Sequence, residues 1–301
     1  MRLITRSDFD GLACGALLEA LGMIDDWLFV HPKDIQDGKI TATKDDIVAN
    51  VPYIKGCGLW FDHHSSETER LGSAVSYAGV SKKAPSCAHV IYEYYGGEAK
   101  LGKFAEMIKY VDKMDSGDLT VDEILHPEGW VLLGFIADPR TGLGRFRDFK
   151  ISNLDLMKQL SNETLDKPIS EILLLPDVKE RVTVYKEQDE LFKKMVKDHA
   201  KVEGRVVLVD LRGIETINAG NRFLLYTLFP DQNISVWVVD GRKNVNTVIT
   251  VGYSIINKTA SVDVGSLMLK YGGGGHHQVG TCQVDCAQTD RIISEIISQV
   301  K

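Results

Sequence analysis

The sequence predicts an α/β chain in two domains, the first built on a parallel sheet. Three observations predict it: a length of 301 residues, three short apolar runs that each end in a polar cluster, and a long charged helix followed by a second β-rich stretch. At about 100 to 200 residues per domain, the length asks for two domains. Apolar residues at 44% and charged residues at 26% are ordinary for a globular protein and exclude disordered, collagen-like and coiled-coil chains.

The first strand, Arg2 to Thr5, gives way to a polar turn with Asp8, Asp10 and Gly11, then to a helix-like run from Leu12 to Leu21. A second strand, Asp46 to Val51, stops at Pro52, which lacks the N–H that a ladder needs. A third, Gly58 to Phe61, runs directly into Asp62, His63 and His64. From Ser86 to about Leu160 the pattern is mostly helical, including Cys87 to Tyr95 and Leu101 to Tyr110, the latter leading into Asp112, Asp115 and Asp118. Between Asp177 and Ala200, Val184, Leu191, Phe192, Met195 and Val196 fall at helical spacing amid Lys and Glu, with no Gly or Pro, which predicts a connecting helix. After Gly204 come strands Arg205 to Leu211, Ile234 to Asp240, Asn246 to Ser254 and Gly280 to Val284, a helix across Arg222 to Leu228, and a terminal helix from Asp290. The expected division is residues 1–176, a connecting helix over 177–203, and a smaller α/β domain over 204–301.

Lys and Arg number 35 against 42 Asp and Glu, a net charge of −7, which argues against a surface that grips a long duplex by bulk electrostatics. Local cations must then hold any phosphate ligand. Five cysteines, odd in number and scattered, do not make a disulfide framework, and a cytoplasmic location is expected. Residues 1–20 carry Arg2, Arg6, Asp8 and Asp10 where a signal peptide needs an apolar core, and the longest apolar run, Trp130 to Ala137, is too short to span a bilayer. No export and no membrane partner are expected.

Ligands of open α/β sheets sit beyond the carboxyl ends of the strands, so the three polar clusters are expected to meet there. In Ser7-Asp8-Phe9-Asp10-Gly11, two carboxylates one residue apart suit a hard divalent cation, although the same residues would serve as a helix-capping turn. In Asp62-His63-His64, a carboxylate and two imidazoles can supply metal ligands or a ligand and a base. Asp112 and Asp115 would be an ordinary helix end were they not beside the other two clusters. Gly272-Gly273-Gly274-Gly275-His276-His277 lets the backbone approach an anion, with His276 adding a donor. A flexible linker would mix in more polar residues over a longer stretch. A zinc site from His276, His277, Cys282 and Cys286 is conceivable, but the histidines are adjacent and no CxxC pair exists.

Together these segments resemble the DHH phosphoesterases, named for the triplet that stands here as Asp62-His63-His64, and the resemblance covers nearly the whole chain. The first segment looks like the family's first motif, Asp112 like its fourth, and Gly272 to His276 like the glycine-rich signature of the DHH-associated C-terminal domain. Relatives include RecJ-like exonucleases, oligoribonucleases, cyclic dinucleotide phosphodiesterases and exopolyphosphatase-related proteins. The resemblance implies a parallel-sheet DHH domain joined by a helical linker to a C-terminal domain, and a site that uses manganese, with magnesium or another divalent ion as the alternative. It implies metal ligation by Asp8, Asp10, His63 and Asp112, with Asn50 at the position of the second-motif ligand and Asp115 as a second match to the fourth motif. It implies catalytic roles for Asp62, His63 and His64, and substrate binding by Gly273, Gly274, Gly275 and His276.

Two departures stand out. Arg6 replaces a histidine found in RecJ-like members, and Asn50 replaces an aspartate. Arginine cannot ligate a metal and asparagine bridges two cations poorly, so one ion, with Arg6 acting in catalysis as a fixed cation toward phosphate, is the simplest arrangement. The expected function is hydrolysis of phosphate esters of small nucleotides or short oligonucleotides; a homodimer is compatible with it. The competing expectation, favoured by Arg6 and Asn50, is a nucleotide-binding sensor without turnover.

Overall fold

The computed structural model describes residues 1–64, 67, 70–71, 75–241 and 245–300. It has the expected α/β class, in two compact units: Met1–Leu119 with His126–Lys186, and Thr120–Leu125 with Glu187–Lys301.

The first unit is organised by a five-stranded sheet of β1 (Arg2–Thr5), β2 (Asp26–Phe29), β3 (Asp46–Ala49), β4 (Leu59–Asp62) and β5 (Gly79–Ser81), in the order β2-β1-β3-β4-β5. All pairs are parallel. Leu3, Ile4, Ile47 and Val48 are fully buried, as expected of strands covered on both faces. Ile4, Val48 and Trp60 share one face with Ile35, Val51 and Ile54. The register aligns Thr5 with Phe29 and Ala49, and Ala49 with Phe61, so the residues after β1, β3 and β4 emerge side by side. The chain leaves β1 for β2 on one side and returns to β3 on the other, which makes the carboxyl edge of β1 and β3 a topological switch point.

Helix α1 (Phe9–Ala20) starts at Asp8, which caps it, and buries most of its length. The others used below are α2 (Pro32–Gln36), α3 (Cys87–Tyr94), α4 (Ala105–Asp115) and α5 (Gly129–Ala137). The helix expected over Leu101 to Tyr110 differs. Gly102–Phe104 form a 3-10 turn, and α4 then runs through both Asp112 and Asp115. No Gly or Pro interrupts it before Gly117, whose φ of +70° ends the helix in the left-handed region.

The helix expected over 177–203 is α6 (Pro176–His199), and it ends early because residues 200–203 pair with the next strand instead. The second unit holds a mixed sheet in the order β10-β11-β9-β8-β7-β6, from β6 (Ala200–Glu203), β7 (Val206–Asp210), β8 (Ile234–Asp240), β9 (Asn246–Tyr253), β10 (Gly274–His276) and β11 (Val279–Asp285). Only β7 and β8 pair in parallel. Val236, Val238, Ile249 and Val251 pack with Ile292, Ile293, Ile296 and Ile297 of α8 (Thr289–Val300), which follows α7 (Val264–Leu269). Four strands escape the sequence pattern: β2, β5, β6 and β10. Each is three or four residues long and owes its conformation to a neighbour's backbone, not to alternation of its own side chains. No described helix is long and apolar enough to cross a membrane.

Candidate active site

The cluster forms where the register brings the strand ends together. Asp8 and Asp10 follow β1, Asn50 follows β3, Asp62 ends β4, and His63 and His64 come next. All are buried except His64, which is half-buried. Asp10 Oδ1 accepts the Ala88 N–H at 2.7 Å and Oδ2 the Cys87 N–H at 2.9 Å, so its carboxylate sits on the N-terminus of α3. Even so, its carboxyl is held well above the usual range. Burial is the main cause, the nearby Asp115 and Asp8 charges add to it, and the two backbone donors only partly oppose it.

His63 Nε2 lies 3.6 Å from Asp10 Oδ2 and 3.3 Å from Asp115 Oδ2. Its Nδ1 is 3.3 Å from the Ala84 carbonyl, which can only accept, so Nδ1 carries the proton and the Nε2 lone pair faces the two carboxylates. Burial, helped by His64, lowers the His63 pKa and keeps the ring neutral, the form a metal requires. One atom each from Asp10, His63 and Asp115 lie within 4.8 Å of one another. Two carboxylates and an imidazole lone pair facing one point are the donors that a divalent cation would draw together. Asp62 is a further buried carboxylate beside the cluster. It is fully buried, its Oδ1 meets His64 Nδ1 at 2.7 Å, and its Oδ2 has no hydrogen-bond partner among the described residues. The donor set fits a hard or borderline ion such as manganese.

His64 responds to Asp62. Burial would lower its pKa, but the charge and hydrogen bond of Asp62, with Asp115 further off, outweigh burial and Arg6 and raise it to about 9. Asp62 thus holds an imidazolium beside the cluster.

Asp8 is in a different state from Asp10. Its Oδ1 accepts the Gly11 N–H and Asn50 Nδ2, both at 3.0 Å, and Arg6 Nε is 3.1 Å from Oδ2. Asn50 has φ +58°, the one non-glycine residue with positive φ among those described, in a region that asparagine tolerates well. The two residues that depart from the family pattern therefore converge on one carboxylate and satisfy both its oxygens.

The structure separates the two candidates on α4. Asp115 reaches His63, whereas Asp112 accepts Ser86 Oγ on Oδ1 and meets His89 Nδ1 with Oδ2, both at 2.7 Å. Ser86 also caps α3 by accepting the His89 N–H. Asp112 is thus tied to the helix end on which Asp10 rests, and the structure does not bring it to the cluster. Ser86, the α3 N-terminus and the Ala84 carbonyl were missed by reasoning from sequence; the serine cap just before a helical run was the available signal. Two buried thiols were missed as well. Cys87 accepts the Asn50 N–H at 3.2 Å and donates to the Phe61 carbonyl at 3.2 Å, and burial pushes its pKa to about 11. Cys14 is pushed up similarly, so both pack as neutral thiols. No disulfide forms among the described residues.

The glycine tract lies in the second unit. Gly274–His276 is not a loop but the edge strand β10, with Gly275 opposite Gly280. A Cβ on Gly273 would come within 2.1 Å of the Thr281 carbonyl oxygen, and one on Gly275 within 2.2 Å of that of Val279, so two of the glycines are required by strand approach alone. Cys282, a member of the conceivable zinc set, is buried in the core of this unit.

No protein-family model matches the chain, and no curated protein matches it. Among solved structures, a pGpG-specific phosphodiesterase, PggH from Vibrio cholerae, is similar to 99% of this chain over 98% of its own, with 45% sequence identity and a TM-score of 0.77. RecJ from Thermus thermophilus, solved in complex with Mn2+, matches 98% of this chain with 51% of its own, at 12% identity and a TM-score of 0.53, a likeness of fold.

Proposed function

The chain belongs to the DHH family of phosphoesterases, and from that premise we propose that it cleaves the linear dinucleotide pGpG, the substrate named for its full-length relative. It is an enzyme, a metal-dependent phosphoesterase acting on small nucleotides or short oligonucleotides. Hydrolysis of the internal phosphodiester would add water across the bond from phosphorus to the 3′ oxygen and yield two molecules of GMP. The observation that carries the reading is the Asp10, His63 and Asp115 constellation at the switch point of a chain that matches the pGpG enzyme from end to end.

In this reading Asp10, His63 and Asp115 hold one divalent ion, most simply manganese. When bound, the ion supplies water activation and offsets charge on the phosphoryl oxygens. The α3 N–H groups fix Asp10, and the Ala84 carbonyl fixes the His63 tautomer, so the ligands stand ready without reorganisation. Asp62 holds His64 by Nδ1 as an imidazolium, a form that can pass a proton to the departing oxygen. Arg6 and Asn50 complete Asp8 in place of a second ion, and Arg6 acts as a fixed cation toward phosphate. Gly273, Gly274, Gly275 and His276 of the second unit bind substrate rather than perform the chemistry, and the protein works in the cytoplasm.

The test is a comparison of pGpG with longer 5′-phosphorylated oligonucleotides, adenosine bisphosphate, cyclic dinucleotides and pyrophosphate, with manganese present and products separated by chromatography. The expected outcome is GMP from pGpG at the highest kcat/KM. Preference for adenosine bisphosphate or pyrophosphate would overturn the substrate and leave the family intact.

A further inference from the structure

One cation beside the cluster was not singled out by any motif. Helix α5 is apolar and buried from Trp130 to Ala137, and at Gly134 it approaches so closely that a Cβ there would lie 2.4 Å from Met114 Sδ and 3.0 Å from Phe9 Cδ1. Met114 precedes Asp115, and Phe9 stands between Asp8 and Asp10. The helix is therefore packed against the two segments that carry the carboxylates, and one turn past Gly134, where the Asp138 N–H meets the Gly134 carbonyl at 3.0 Å, the chain leaves it. Asp138-Pro139-Arg140 follows as a tight turn. Buried Asp138 accepts the Arg140 N–H and its Nε on Oδ1, both at 2.8 Å, and Nε again on Oδ2 at 3.0 Å.

That carboxylate holds the guanidinium by its Nε edge. Among the described residues no hydrogen bond engages Nη1 or Nη2, and the side chain is 37% exposed. Burial would weaken its hold on the proton, but Asp138 outweighs this, and Asp8 and Asp115 add attraction, so the charge feels the cluster without bonding to it. A phosphodiester entering this acidic site needs a fixed donor with free forward N–H groups, and a pre-paired guanidinium supplies one at little further entropic cost.

We propose that Arg140 binds a non-bridging oxygen of the phosphodiester being cleaved and stabilises the charge that gathers there, with Asp138 as its positioning residue. The proposal rests on the phosphodiesterase reading but not on the guanine dinucleotide. It is therefore tested on bis(p-nitrophenyl) phosphate, which has a single phosphate, alongside pGpG and GpG, using the manganese-loaded full chain. Arg140→Gln should lower kcat/KM on the order of 100-fold, mostly through kcat and by the same factor on all three compounds. Manganese affinity by calorimetry should stay within about twofold, as expected of a residue that is not a ligand, and Arg140→Lys should recover part of the loss. Asp138→Asn should give a smaller loss of the same kind.

Unchanged kinetics in Arg140→Gln would overturn the proposal. So would a parallel loss of manganese affinity, which would make Arg140 a support of the cluster, or a loss confined to pGpG with GpG and the synthetic ester untouched, which would assign it to the 5′-phosphate. Should the glutamine variant melt early, Arg140→Lys and Asp138→Asn decide by the same kcat and calorimetric readouts. Wild-type protein that cleaves the synthetic ester but not pGpG would sink the dinucleotide reading and leave the Arg140 test standing.

Discussion

The two ends of β1 and β3 bury aspartates under opposite conditions. At the amino end Asp46, on the first residue of β3, meets Arg2 Nε at 2.7 Å and accepts the N–H and hydroxyl of Thr43. Burial would raise its pKa, but those bonds and the Arg2 charge more than offset it, and the carboxyl sits below its ordinary range. At the carboxyl end Asp10 has two good backbone donors and still sits well above that range, first because burial penalises its charge and then because the Asp115 and Asp8 charges add to it. The protein completes one end with its own cation and leaves the other short of positive charge. A buried acid that the fold satisfies is architecture; one that the fold leaves in deficit marks where a cation and chemistry belong.

The largest break in that comparison is Asp10→Asn. Removing the deficit should abolish turnover, by roughly 10³-fold or more, and erase the manganese-induced rise in melting temperature, while circular dichroism stays native. Retained activity would remove the metal mechanism. Next comes the contrast along α4. Asp115→Asn should weaken manganese binding at least about 100-fold, whereas Asp112→Asn should keep the affinity and cost about 1 to 2 kcal/mol of stability through the bonds to Ser86 and His89. Equal loss of affinity in both would refute the separation of roles.

Asp8 lies between the two conditions, at the carboxyl end but completed by Arg6 and Asn50. Elemental analysis should find about one manganese per chain, rising toward two in the Arg6→His, Asn50→Asp double variant, which restores an imidazole and a carboxylate. Two tightly bound ions in the unmodified protein would show that Asp8 is not completed as described. The smallest effect belongs to the amino end. Asp46→Asn should leave manganese binding and kcat unchanged and cost about 1 to 2 kcal/mol at neutral pH. The depressed Asp46 pKa contributes stability that is present above the ordinary carboxylate value, about 4, and is lost as pH falls through the lower folded value. The variant's acid denaturation should lack that part of the slope.

Much of this was legible in sequence because it is local. Asp8 before a helical run reads as a cap and is one, and an apolar run ending in Asp62-His63-His64 reads as a strand ending in a cluster. The register of Asp112 and Asp115 was not legible. They lie three residues apart, both suit a helix exit, and only the continuation of α4 and the positions of Ser86, His89 and His63 distinguish them. The glycine tract was read as an anion cradle, and its role in a close-packed hairpin depends on Thr281 and Val279, which pattern alone does not place.

By itself, then, the sequence determined the α/β class, the strands that carry the polar clusters with the main helices, and the kinds of side chain gathered at those strand ends, since periodicity and capping depend on neighbours a few residues away. Only the tertiary structure decided which carboxylates remain charge-deficient. That balance depends on partners distant in sequence: Arg2 on Asp46, Asn50 on Asp8, the α3 N-terminus and Asp115 around Asp10. Electrostatic energy follows separation and burial in space, and neither is set by spacing along the chain.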